Sequence, residues 1–264
     1  MKQRLLVAAV GIPVLIGVIF FAPVWVMVAA LAILSAIGAY ELCKCVGASS
    51  WVCGIAMAGS IWMLMGKWMH SWMTELILVI VVILLFGHAV IKAGEVKFAH
   101  IGAALFGMFA IPYAFGAFLR IEAMTDARAW LLLPFLFSFA SDTGGYFAGR
   151  AFGKHKLAPK VSPKKTVEGS VGGIVGNIIG GVIFVLVMDK WFGGGIGIGA
   201  MVILAVLCSA VAQIGDLSFS LIKREFGIKD YGKLFLEHGG VLDRFDSVLF
   251  VAPVLSILLS FLYW

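Results

Sequence analysis

Apolar residues fill almost the whole chain in long runs, separated by short polar interruptions. The runs cover 5–21, 24–40, 51–66, 75–91, 101–119, 129–148, 170–188, 196–215 and 247–264. A helix needs about 20 apolar residues to cross a bilayer, within a range of about 17–25. In lipid the backbone must satisfy its own polar groups, so each run predicts a helix rather than a strand. The pattern therefore predicts an all-α polytopic membrane protein, a bundle of about nine transmembrane helices. Pro23 interrupts the first long stretch, which places a turn near Ala22-Pro23 between two retained helices. Lys2 and Arg4 before an apolar run also resemble the start of a secretory signal. No polar domain follows that would need export, so the run is expected to stay in the membrane. One integral-membrane domain, 1–264, is the simplest organisation, with N-terminal helices in 1–128 and a more polar C-terminal part in 129–264.

Composition agrees. Hydrophobic residues make up 62% and charged residues 13%, against about 45–50% and about 25% in an ordinary soluble domain. The net charge of +6 does not call for nucleic acid, because polytopic proteins gather Lys and Arg in cytoplasmic loops. With the N-terminus in the cytoplasm, only Lys67, Arg120, Arg128 and Lys190 of the 20 basic residues fall on the far side. Cys43, Cys45, Cys53 and Cys208 show no paired metal spacing. Cys43 and Cys45, near a helix end, are expected to be small packing residues. Gly172, Gly176 and Gly180 recur every four residues, which predicts a close helix-packing face. Gly193-Gly194-Gly195 marks a loop.

Two polar segments interrupt the pattern, both on the predicted cytoplasmic side. The first runs from Ser141-Asp142-Thr143-Gly144 to Ser162-Pro163-Lys164-Lys165-Thr166-Val167-Glu168-Gly169. Asp142 near the end of an apolar span is costly, and an ionisable residue there points to function. Ser162 to Thr166 reads equally as a positive-inside loop or as a clamp in which two ammonium groups and two hydroxyls meet an anion. The second runs from Gln213-Ile214-Gly215-Asp216 to His238-Gly239-Gly240-Val241-Leu242-Asp243-Arg244-Phe245-Asp246. Asp216 is expected to end the preceding span. Asp243 and Asp246 are three apart, so a helix starting there turns both to one side. Carboxylates held together need a neutralising cation, and hard oxygen donors favour magnesium. Asp216, Asp246, Lys223, Arg224 and Arg244 in one stretch read as phosphoryl-type chemistry. His238 beside two glycines is either structural or an acid, base or phosphate donor.

The stretch Ser220-x-x-Lys223-Arg224, Lys229-Asp230 and His238-Gly239-Gly240-x-x-Asp243-Arg244-x-Asp246 resembles the phosphatidate cytidylyltransferase signature. Ser141-Asp142-Thr143-Gly144 with Ser162-Pro163-Lys164-Lys165-Thr166-x-Glu168-Gly169 is similar to the family's other polar region. One departure is Leu236-Glu237 in place of the usual Pro-Gly before the His-Gly-Gly. The resemblance implies a nucleotidyltransferase of phospholipid biosynthesis that joins CTP and phosphatidic acid into CDP-diacylglycerol and pyrophosphate. It implies a magnesium-dependent site, with a second cation as a further expectation, and a polar cavity open to the cytoplasm and sideways to lipid. Asp216, Asp243 and Asp246 would hold metal, with Asp142 near the same cavity. Lys164, Lys165, Lys223, Arg224 and Arg244 would neutralise the triphosphate and the lipid phosphate. Lys229 and His238 would help pyrophosphate leave, with Asp243 and Arg244 also at the catalytic centre. Ser162, Thr166 and Ser220 would donate hydrogen bonds to phosphate. A bacterial inner membrane and a homodimer are also expected.

Two competing readings share these features. A transporter or scramblase for an anionic lipid or nucleotide would explain intramembrane charge, but many transporters show internal symmetry that is not apparent here. A polyprenol kinase or an isoprenoid-lipid cytidylyltransferase would share the carboxylates and differ in the lipid pocket.

Overall fold

The computed structural model describes residues 2–66, 71–124, 128–192, 195–235 and 239–262. Among the described residues each of the nine apolar runs lies largely on a helix: α1 (Lys2–Phe21), α2 (Val24–Cys45), α3 (Ser50–Met65), α4 (Ser71–Ile91), α5 (Phe98–Met124), α6 (Leu133–Phe152), α7 (Val167–Phe192), α8 (Ile198–Glu225) and α10 (Val248–Leu262), the last preceded by a single turn, α9 (Leu242–Phe245). Among the described residues five helices are long and apolar enough to cross a membrane, within α2, α4, α5, α7 and α8. The apolar helices α3 and α10 are shorter, at 16 and 15 residues. The protein is an all-α integral membrane protein. Its only strands among the described residues are β1 (Lys156–Ala158) and β2 (Ser162–Thr166), one antiparallel hairpin.

Three expectations change in the structure. The residues before α6 form a 3-10 turn, Arg128–Leu132, so that helix begins later than its apolar run. Asp142 then lies in mid-helix rather than near its end. Asp216 does not end a span either, because α8 continues for two more turns and carries Ser220, Lys223 and Arg224 with it. Ser162 to Thr166 is a strand rather than a loop. Of Gly193-Gly194-Gly195 and its predicted loop, only Gly195 is among the described residues.

Chain contacts divide the protein into two compact units. The first comprises Met1–Gly116 and Glu225–Arg244. Pro23 separates α1 from α2, since a residue preceding proline is driven out of the helical region. At the other end of α2, Gly47 adopts φ 78°. Ala48 N–H reaches Cys43 O at 2.9 Å and Gly47 N–H reaches Lys44 O at 3.1 Å, a Schellman stop. Ser49 then caps α3 by accepting Val52 N–H at 3.4 Å. Facing hydroxyls of Ser35 and Ser60, 2.6 Å apart, join α2 to α3. The core of this unit gathers Ala39, Cys43, Val52, Cys53, Leu85, Ala104 and Met108, so Cys43 packs as expected.

The second unit comprises Ala117–Arg224 and Phe245–Trp264. Its axis is the pair α6 and α7, which meet through glycine. A Cβ on Gly144 would lie 2.4 Å from Gly172 O, and one on Gly176 would lie 2.7 Å from Ala140 O. The predicted glycine face thus packs against a neighbouring helix of the same chain. One position round the same helix, Val171, Val175, Ile179 and Ile183 form a stripe exposed to about half of each residue's surface or more. An apolar stripe of that length suits lipid rather than water. Aromatic contacts complete the unit: Trp130 meets Phe184 edge-on at 5.4 Å, and Phe219 meets Phe250 at 6.2 Å.

Candidate functional site in the α6–α7–α8 unit

The hairpin is built at the entrance to α7. Thr166 Oγ1 accepts Gly169 N–H at 3.1 Å and so caps that helix. Glu168, in the first turn of α7, accepts N–H of Lys154 at 3.1 Å and of His155 at 3.2 Å, and meets His155 Nδ1 at 2.6 Å. These contacts close the base of the hairpin, and Arg224 Nε reaches Val161 O at its turn, 3.5 Å away. Strand alternation leaves Lys164 exposed and turns Lys165 inward, where its ammonium pairs with Asp216 of α8. Glu168→Gln is expected to loosen the hairpin while the helices hold. Hydrogen exchange should show faster exchange over residues 154–167 and no change in α8; unchanged exchange in the hairpin would contradict this role for Glu168.

A cavity of about 330 Å³ opens between α6, the hairpin, α7 and α8. From α6 it takes Ser141, Asp142, Gly145, Tyr146, Gly149 and Arg150, two adjacent rows of one helix. The hairpin adds Leu157, Lys164, Lys165 and Thr166, α7 adds Gly169 and Ser170, and α8 adds Gln213. Glycine at 145, 149 and 169 keeps side-chain volume out of the space. Polar bonds brace its floor. Ser141 and Ser209 hydroxyls lie 3.1 Å apart, Gln213 Nε2 donates to Ser170 O at 3.1 Å, and Ser170 Oγ donates to Gln213 Oε1.

On α8, Ser209, Gln213, Asp216, Ser220 and Lys223 follow one another at spacings of four and three, a polar stripe along one helix face. The turn between α9 and α10 brings Asp246 to this stripe. A Cβ on Gly215 would lie 2.8 Å from Asp246 O, so glycine is required for the approach. Burial pushes the Asp246 carboxyl up to about 7, and the nearby Asp216 and, less, Asp142 carboxylates push the same way. Ser247 N–H, donating at 2.7 Å, and the Lys223 ammonium oppose the rise. Two of the carboxylates predicted to hold metal, Asp216 and Asp142, therefore act on a third, Asp246, with Lys165 paired to Asp216 and Lys223 near Asp246 as neutralising charges. Among the described residues, however, no group of three or more His, Cys, Asp or Glu side chains is close enough to hold an ion alone. The donor set fits magnesium in its common form, one or two carboxylates completed by substrate phosphate and water.

Of the remaining predicted residues, Lys229, Asp243 and Arg244 belong to the first unit. Asp243 Oδ2 accepts Tyr231 N–H at 2.7 Å and Gly240 N–H at 3.0 Å. It thereby ties together the stretches that carry Lys229 and Arg244. His238, with Leu236 and Glu237, lies outside the described residues. Ser162 is half-buried at the start of β2.

Sequence reasoning passed over Gln213, Tyr146 and Arg150 as site residues, although the four-three spacing on α8 pointed to Gln213. It also passed over Glu41, which is 5% exposed in α2. Glu41 accepts N–H of Val241 at 3.0 Å and of Leu242 at 2.9 Å. A lone acid at the end of an apolar run was its available signal.

Comparison with known proteins bears on the same residues. The model of the "Cytidylyltransferase family" matches residues 2–262. A phosphatidate cytidylyltransferase of Staphylococcus saprophyticus is 33% identical over 195 residues, 74% of this chain and 72% of that protein. One of Haemophilus influenzae is 37% identical over 151 residues, covering 55% of this chain and 52% of that protein. One of Staphylococcus epidermidis is 33% identical over 163 residues, 62% and 61% of the two chains. With residues 2–262 matched by the family's model, the chain belongs to the cytidylyltransferase family.

Proposed function

We propose that the protein is a phosphatidate cytidylyltransferase that makes CDP-diacylglycerol for phospholipid synthesis. The observation that carries the reading is the cluster of Asp142, Asp216 and Asp246 with Lys165 and Lys223, beside a cavity lined by Lys164 and Arg150. A phosphate oxygen of phosphatidic acid attacks the α-phosphorus of CTP. The new P–O bond forms as the bond to the β-phosphate oxygen breaks, and pyrophosphate leaves with that electron pair. Such a transfer needs in-line positioning and charge neutralisation more than covalent help.

Lys164, Lys165 and Arg150 supply positive charge at the cavity, where lipid phosphate and triphosphate oxygens would be drawn together. Ser162 and Ser220 are further donors. Thr166 serves first as a helix cap, so its contribution to phosphate is indirect. Asp216 and Asp246 would hold magnesium, with Asp142 as their nearest acidic neighbour. Magnesium, when bound, offsets charge on the phosphate oxygens and the leaving pyrophosphate. Asp243, Arg244, Lys229 and His238 are assigned to the reaction on the signature alone. The nine helices are proposed to cross a bacterial inner membrane with the hairpin on the cytoplasmic side, where CTP is found, a placement supported by the distribution of basic residues.

The test is pyrophosphate release by purified protein in detergent. Release that requires CTP, phosphatidic acid and magnesium together supports the proposal. Release of CDP instead would indicate a lipid kinase, and lipid movement without CTP consumption would indicate a transporter.

A further inference from the structure

Glu41 is a carboxylate buried on an apolar helix, which is an expensive arrangement unless its oxygens are fully used. Both are used on backbone. Oε1 accepts Val241 N–H at 3.0 Å and Oε2 accepts Leu242 N–H at 2.9 Å, 200 and 201 residues away in the chain. The backbone crowds the carboxylate from two sides. A Cβ on Gly240 would lie 2.1 Å from Glu41 Oε1, and one on Gly232 would lie 2.5 Å from it. A side chain at either position would push the Glu41 carboxylate away from these amides. Directly after Leu242, Asp243 Oδ2 takes the amides of Tyr231 and Gly240. Two carboxylates thus hold four backbone amides of the segment from Tyr231 to Leu242, and Asp243 and Arg244 follow directly.

The choice of acid over amide has a chemical reason. A carboxylate offers two acceptor oxygens and no donor, which matches two converging N–H groups. A glutamine would present one oxygen and one NH2, and would turn a donor toward a donor.

We propose that Glu41 is a positioning residue for the cytidylyl transfer assigned above: it sets the Gly239–Leu242 backbone, and through it the place of Asp243 and Arg244, without touching substrate. The proposal rests on that assignment of function. It makes α2 part of the catalytic apparatus rather than a membrane anchor alone. Charge-assisted bonds to backbone amides are stronger than neutral ones, and misplacing a reacting group by about 1 Å can cost about 100-fold in rate.

The experiment compares wild type, E41Q and E41D in detergent, reading kcat, KM for CTP and for phosphatidic acid, thermal midpoint, and hydrogen exchange. E41Q is expected to lower kcat about 10- to 100-fold with either KM changed by less than about threefold. Exchange should quicken in a peptide covering 239–245 and stay unchanged in α6 and α7. E41D keeps two acceptor oxygens on a shorter stem and should recover part of the lost kcat. The proposal is overturned if E41Q keeps wild-type kcat, if exchange at 239–245 is unchanged, or if activity falls only in step with the folded fraction. Should E41Q not fold, E41D carries the same three readings. Inactive wild type would refute the assigned reaction, while the exchange measurement would still decide whether Glu41 holds the loop.

Discussion

Asp246→Asn is expected to cut pyrophosphate release by about 100-fold or more at saturating substrates, a loss of the size seen when a charge-stabilising group is removed from a reacting centre. Asparagine keeps the shape of the side chain and removes the negative charge that Asp246 places beside Asp216. The same substitution should change how the protein responds to pH. Burial first, and Asp216 next, raise the carboxyl from 3.8 to about 7, so the folded protein holds this proton more tightly than the unfolded chain does. Its contribution to stability is therefore full below about pH 4 and is lost as pH rises through about 7. Metal-free wild type should melt at a lower temperature at about pH 8 than at about pH 5.5, and magnesium should restore part of the difference at the higher pH. Asp246→Asn should flatten this dependence. Wild-type activity in the variant, or an unchanged pH dependence of melting, would remove Asp246 from the metal site. A magnesium requirement that eases as pH rises through about 7 is the kinetic counterpart, since a carboxylate must be ionised to bind metal.

Gly144→Val should have the largest effect on folding. The first added carbon alone would sit 2.4 Å from Gly172 O, and that obstacle is backbone rather than a movable side chain. Separating α6 from α7 would open the cavity wall between Asp142 and Ser170, so activity and stability should fall together. Overpacking costs about 1–3 kcal/mol in soluble cores, and a backbone clash at a helix crossing falls at the upper end or beyond. A drop of several degrees in melting temperature, roughly 5–10 °C, is expected in a detergent thermal scan. Gly102→Ala is the control, because a Cβ there meets nothing within 4 Å; it should leave melting unchanged or raise it slightly. Equal behaviour of the two variants would show that the glycine crossing does not hold the unit together.

Helix positions were legible in the sequence because lipid leaves the backbone one local solution. A run of apolar residues is helical wherever it goes, and a proline at 23 ends it by its own steric properties. The two polar segments were legible for a similar reason: charge in such a chain is costly, so where it clusters it has a task. The glycine row at 172, 176 and 180 announced a close crossing but could not name the partner, which is α6 of the same chain. Helix ends among polar residues were not legible. Once hydropathy falls, nothing local distinguishes a helix that stops at Asp216 from one that continues to Glu225, and that continuation makes Ser209, Gln213, Asp216, Ser220 and Lys223 a single stripe. Tertiary structure alone decided which carboxylates meet. Asp246 feels Asp216 and Asp142, whereas Asp243 turns to the amides of Tyr231 and Gly240, and Glu41 to amides 200 residues away. A side chain's hydrogen-bonding capacity is written in its residue type, but its partner depends on where distant helices pack, and no local pattern carries that distance.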